Sequence, residues 1–141
     1  MSINKTYAIF GLGRYGLSVA QELVRNGAEV IAVDSNEHIV NSLVNDLPYC
    51  KCANTTDIEV LKKLGISNVD VVIVAMAGNI EASVMTVLLS KELGVPTVIA
   101  KCSSDMHYKI LNKEVMSRSE AYNNFVVSGA PCSCNRSRRR N

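Results

Sequence analysis

The chain has 141 residues, 48% hydrophobic, 20% charged and 5% aromatic, which fits one globular domain and excludes collagen-like, disordered and disulfide-scaffold classes. Its net charge of +2 is concentrated at one end: without Arg136, Arg138, Arg139 and Arg140 the 15 basic residues fall to 11 against 13 acids, which argues against nucleic-acid binding by bulk charge. The cysteine count of five is odd, residues 1–7 are polar, and the longest apolar run, Val71 to Ala77, is far short of the ~20 residues of a membrane helix, so a reducing cytosolic setting without membrane insertion is expected.

Tyr7 to Phe10 is a short apolar run stopped by glycine, and Arg14 to Asn26 follows with Leu17, Ala20, Leu23 and Val24 at helical spacing before a Gly27 C-cap. Glu29 to Val33 reads as a second buried strand ending at Asp34, and Glu37 to Leu47 as a helix stopped by Pro48. Tyr49 to Cys52 is a brief third strand, with Cys50 and Cys52 expected on one face as buried thiols rather than a metal pair. Thr55-Thr56-Asp57-Ile58-Glu59 resembles a capping sequence opening a helix to Gly65. Val69 to Met76 is the most strand-like stretch. Asn79 to Leu93 is an amphipathic helix with Ala82, Met85, Thr86 and Leu89 expected inward and Glu81 complementing its dipole. Thr97 to Cys102 is a fifth strand and Asp105 to Lys113 begins a last helix.

Alternation of continuously apolar strands with helices predicts an α/β fold, a Rossmann-like, doubly wound parallel sheet in three αβα layers and a single domain. Residues 1–116 are expected to form it. Residues 117–141 lack periodicity and collect Ser, Asn, Cys and Arg, so they are expected as an irregular, disordered or non-native tail, the other reading being a basic tail for an anionic surface.

Gly11-Leu12-Gly13-Arg14-Tyr15-Gly16 fits G-x-G-x-x-G between a predicted strand and helix. Gly11 would allow the turn, Gly13 the approach of a pyrophosphate to the helix N-terminus, and Gly16 the packing of helix on strand; a tight turn without ligand is the bland reading. Asp34 lies 18 residues after Gly16, where a carboxylate can accept both ribose hydroxyls and repel a 2′-phosphate; it could instead cap the next helix. Ligands of open parallel sheets lie across the carboxyl ends of the strands, which adds Ser35 and Asn36, Asn54 and Thr55, Met76, Ala77 and Gly78, and Lys101, Cys102 and Ser103. Arg14 suits phosphate oxygens, unless it is a solvated first-turn residue. His107 could touch phosphate or lie on the surface, and His38 is expected to be exposed. No nucleophile and base pair stands out.

At GLGRYGLSVAQEL, VIAVD, NTTDIEVLKKLGI, VVIVAMAGNIEASVMTVLLSKELG and AKCSSDMHYKIL, the sequence resembles the RCK (regulator of potassium conductance) N-terminal, or TrkA-N, domain. Within that family it is most similar to cytosolic gating subunits of bacterial Ktr/Trk potassium uptake systems, over roughly Lys5 to Lys113. The resemblance implies a non-enzymatic nucleotide sensor binding ATP or ADP, or NAD or NADH. It also implies self-association as a dimer or octameric ring beneath a membrane-embedded potassium channel or transporter subunit, at the inner face of the cell membrane. It places Arg14 near the phosphates, Asp34 to Asn36 at the ribose, Asn54, Thr55 and Met76 to Gly78 around adenosine, and Lys101 to Ser103 with His107 on the phosphate side. The family continues with a sixth strand and an acidic residue near the neighbouring subunit's nucleotide, for which Glu114-Val115-Met116-Ser117-Arg118 offers no match. The alternative is the NAD-binding half of a dehydrogenase.

Overall fold

The computed structural model describes residues 5–76, 78–116 and 125–128, with side chains over 5–76 and 78–111. Its elements are β1 (Thr6–Phe10), α1 (Arg14–Arg25), β2 (Glu29–Asp34), α2 (Glu37–Leu43), β3 (Cys50–Cys52), α3 (Ile58–Lys63), β4 (Val71–Val74), α4 (Ile80–Glu92), β5 (Thr97–Lys101), α5 (Asp105–Met116) and β6 (Phe125–Ser128). The sheet has six parallel strands in the order β3-β2-β1-β4-β5-β6. The chain begins in the middle, winds outward to β3, then crosses back and winds the other way. The strand order therefore reverses between β1 and β4, and a crevice opens at their carboxyl ends.

Side chains of successive strand residues point to opposite faces, so each apolar strand feeds two cores. Tyr7 and Ile9 of β1 pack with Ala20 and Leu23 of α1 and Leu43 of α2 on one face. Ala8 and Phe10 pack on the other with Leu61 of α3, Val87 of α4 and Leu111 of α5. Burial on both faces is why these strands read as continuous apolar runs rather than alternating ones.

Three departures from the sequence expectations concern the sheet and helix α2. A sixth strand pairs with β5, with Val98 opposite Phe125 and Lys101 opposite Ser128, inside the stretch expected to be irregular. Phe125-Val126-Val127 is a short run of strong strand formers, too brief to register as periodicity, and the open edge of β5 supplies its partner. The rest of 117–141, with Cys132 and Cys134, lies outside the described residues. Helix α2 ends at Leu43 rather than Leu47, the chain turning where Leu47 N–H meets the Leu43 carbonyl at 2.9 Å, and Leu47 is still buried. Cys50 is half-buried and Cys52 exposed rather than both buried, because β3 is an edge strand of three residues. Burial pushes the Cys50 thiol pKa up, with nearby Asp34 and Cys52 adding to the effect.

Candidate functional site

The glycine loop is built by close packing. Gly11 has φ +95, and a Cβ there would lie 2.8 Å from the carbonyl oxygen of Ala75. A Cβ on Gly16 would run into the carbonyl oxygen of Gly11, so only glycine lets the first turn of α1 sit on the loop. Gly13 differs: its φ is −74, and a Cβ would meet nothing within 4 Å. It is the N-cap of α1, which has no side-chain cap and no acid in its first turn. The partial positive charge of the helix N-terminus there faces open space.

Asp34, at the end of β2, holds this loop. One carboxylate oxygen accepts the backbone N–H of Leu12 at 2.8 Å and the other accepts that of Asn36 at 2.8 Å. Capping of α2 falls instead to Asn36, whose side-chain oxygen accepts from His38 N–H at 3.0 Å. A carboxylate has about four lone-pair sites, so Asp34 retains acceptor capacity beyond these two bonds.

Gly11, Gly13, Asp34, Ser35, Asn54, Thr55, Met76 and Gly78 line a cleft of about 500 Å³. Eight of the residues expected at the site thus share one crevice, at the point where the strand order reverses. Ala77 lies outside the described residues. The sequence reading missed Val33, Ile39, Thr56, Ala75, Asn79 and Ala82 as lining residues. Thr56 and Asn79 adjoin strand ends already singled out. Ile39 and Ala82 lie on helices, and only the helix orientation brings them to the cleft.

The remaining expected residues do not line it. Gly16 is packed under the loop, and Asn36 serves α2. Arg14 is exposed at the first position of α1, and Tyr15 beside it carries the Lys101 ammonium 5.2 Å above its ring centroid, a cation–π contact joining α1 to the end of β5. Cys102 is buried, its thiol donating to the Ser104 carbonyl at 2.8 Å. His107 is wholly buried rather than facing phosphate or solvent. Its Nδ1 accepts the Ser103 N–H at 3.1 Å, so the ring is neutral and Nε2–H donates to Ser83 Oγ at 2.9 Å. Burial lowers its pKa. The helical repeat of α5 turns position 107 toward Ser83 of α4, and His107 is not among the residues lining the cleft.

Helix α4 carries hydroxyls inward: Ser83, Thr86, Val87 and Ser90 are its buried residues, while Met85, expected inward, is 44% exposed. Thr86 and Ser90 donate to the carbonyls of Ala82 and Thr86 at 2.7 Å each, so their burial leaves no hydroxyl unpaired. Ile80, Glu81, Val84, Met85 and Leu88 of α4 and Ile110 of α5 line a largely apolar groove of about 450 Å³, Val84 and Leu88 also packing partly against the core. Met106 of α5 is 62% exposed. Among the described residues, no helix is long and apolar enough to cross a membrane.

The TrkA-N domain family model matches residues 7–121. The Ktr system potassium uptake protein A of Bacillus subtilis is 46% identical over 110 residues, 78% of this chain and 50% of that protein. The chain spans about half the length of the curated relatives it matches. Among solved structures, the GsuK channel bound to NAD superposes with a TM-score of 0.70 over 86% of this chain and 21% of that one, at 16% identity. GsuK bound to ADP gives 0.69 over 90% and 32%, at 15% identity. At those identities the likeness is one of fold.

Proposed function

From the premise that this chain belongs to the TrkA-N domain family, we propose that it is the nucleotide-sensing part of a regulatory, non-enzymatic subunit of a potassium transporter or channel. In this reading it binds ATP or ADP in the cleft, with NAD or NADH as the other candidate ligands. One observation carries the reading: a glycine loop, held by Asp34, presents an uncapped helix N-terminus across a cleft at the reversal of the strand order.

The residues suit a nucleotide. The open space before Gly13 leaves room for a phosphate chain at the N-terminus of α1. Arg14 and Lys101 are the cations on the phosphate side, Asp34 is the ribose acceptor, and Asn54, Thr55 and Met76 form the adenosine wall. The names of the relative and of the two GsuK structures, potassium uptake, bound NAD and bound ADP, support the same ligand class and the same role.

The partner in this reading is a membrane-embedded potassium channel or transporter subunit that holds the domain at the inner face of the cell membrane. The apolar groove between α4 and α5 serves self-association, as a dimer or within a ring. Such a switch draws its energy only from differential affinity. A tenfold preference between two nucleotides supplies about 1.4 kcal/mol per site, so several coupled sites are required for decisive gating.

Calorimetric titration with ATP, ADP, NAD and NADH at one salt concentration, with mass by light scattering before and after, tests the reading. Tight ATP or ADP binding with a ligand-dependent change of assembly supports it. Exclusive binding of NAD or NADH with no change of assembly favours a redox sensor or the dehydrogenase half instead, and binding of none of the four counts against a nucleotide sensor.

A further inference from the structure

Thr86 does not line the cleft, yet it touches three residues that do. Its side chain is wholly buried in the second turn of α4. The hydroxyl donates to the Ala82 carbonyl at 2.7 Å, lies 3.0 Å from the Thr55 hydroxyl and 3.3 Å from the Thr55 carbonyl oxygen, and stands 3.8 Å from the Met76 sulfur. Ala82, Thr55 and Met76 come from α4, the β3–α3 loop and the end of β4, and all three line the cleft.

The proton count gives this cluster a direction. A threonine hydroxyl has one proton and two lone pairs. The short bond to Ala82 takes the proton of Thr86, so Thr55 is the donor in the Thr55–Thr86 pair and Thr86 its acceptor. Thr55 is 4% exposed, and its other contact here, the Met76 sulfur at 3.6 Å, is a weak acceptor. Removing the Thr86 hydroxyl would leave the Thr55 proton without a strong acceptor in a buried place, and the loop must move to satisfy it.

We propose that Thr86 is a positioning residue of the cleft, setting Thr55 and Met76 as the wall against which the adenosine part of a nucleotide lies. This rests on the nucleotide reading above. The ligand class is any adenine nucleoside or nucleotide, because the role is assigned toward the adenosine part that all of them share.

The test is titration of native chain, Thr86→Val and Thr86→Ser with adenosine, AMP, ADP and ATP, each protein also followed by thermal melting. Thr86→Val keeps the shape and deletes the hydroxyl, and is expected to weaken all four ligands by a similar factor, about tenfold. Thr86→Ser keeps the hydroxyl and is expected to stay within about twofold of native. Should Thr86→Val fail to fold, Thr86→Ala is read in the same titrations with the same expected loss. Native-like binding by Thr86→Val overturns the proposal, as does a serine variant that loses as much affinity as the valine variant, or a loss that grows with the number of phosphates. A native chain that binds none of the four overturns this role together with the ATP or ADP reading, and leaves NAD and NADH to the titrations described above.

Discussion

Asp34 and Leu12 stand 22 positions apart and are joined by a 2.8 Å hydrogen bond from the Leu12 N–H to the Asp34 carboxylate, which ties the end of β2 to the middle of the glycine loop. The residue assigned to the ribose therefore also shapes the loop assigned to the phosphates. Asp34→Ala removes the acceptor of two backbone N–H groups, and is expected to destabilise the fold by about 1–3 kcal/mol. Urea denaturation measures this. Calorimetry on the same variant should find nucleotide binding lost, whereas an unchanged stability would remove Asp34 from the loop's support.

Gly13 and Gly16 separate ligand space from packing. Gly16→Ala drives a Cβ into the Gly11 carbonyl and is expected to lower stability by about 1–3 kcal/mol or more. Gly13→Ala places its Cβ in open space, so its melting temperature should match native while its nucleotide affinity falls at least about tenfold. Paired melting curves and titrations check both, and equal melting of the two variants would contradict the packing described for the loop.

Arg14 is exposed at the mouth of α1 and outside the cleft lining. If it serves phosphate, Arg14→Ala weakens ATP by about tenfold or more and adenosine hardly at all, since a charged hydrogen bond is worth about 1.5–3 kcal/mol. Titrations with both ligands decide this. Equal losses for the two ligands would count against the phosphate role.

His107 predicts a pH dependence of stability. Burial lowers its pKa from the ordinary 6.5, so the unfolded chain binds the proton more readily than the native one. Its contribution is complete above about pH 6.5 and is lost as pH falls from there toward the lowered native value. Protonation would also place a hydrogen on Nδ1 against the Ser103 N–H. Denaturation at a series of pH values should show a steeper loss of stability between pH 6.5 and 5 for native chain than for His107→Gln, and parallel curves would refute it.

Met85 and Met106 mark the outward face of α4 and α5. Met85→Glu is expected to leave the melting temperature within a few degrees of native while dissociating self-assembled chain, because it changes an exposed side chain. Light scattering at matched concentrations reads the mass. A variant that assembles as native does would move the interface elsewhere.

The apolar runs around residues 7–10, 29–33, 69–76 and 97–102, with glycine or polar stops after them, were enough to specify a parallel sheet, because a strand buried on both faces must be apolar at every position. The glycine loop and Asp34 were legible for a similar reason: their chemistry depends on local spacing and on the end of a strand, both linear properties of the chain. What only the tertiary structure decided is how each helix is turned. Helical spacing defines faces but not which one meets the sheet: α4 buries Ser83, Thr86 and Ser90 while exposing Met85, with Ser83 meeting the His107 imidazole, Thr86 the Thr55 hydroxyl, and Thr86 and Ser90 also donating to carbonyls of their own helix. The orientation of α5 carries His107 inward to Ser83, and that of α4 brings Thr86 against Thr55 and Met76. These contacts join positions 10 to 31 residues apart, and satisfying buried polar groups across such separations is a property of the packed chain, not of any segment of it.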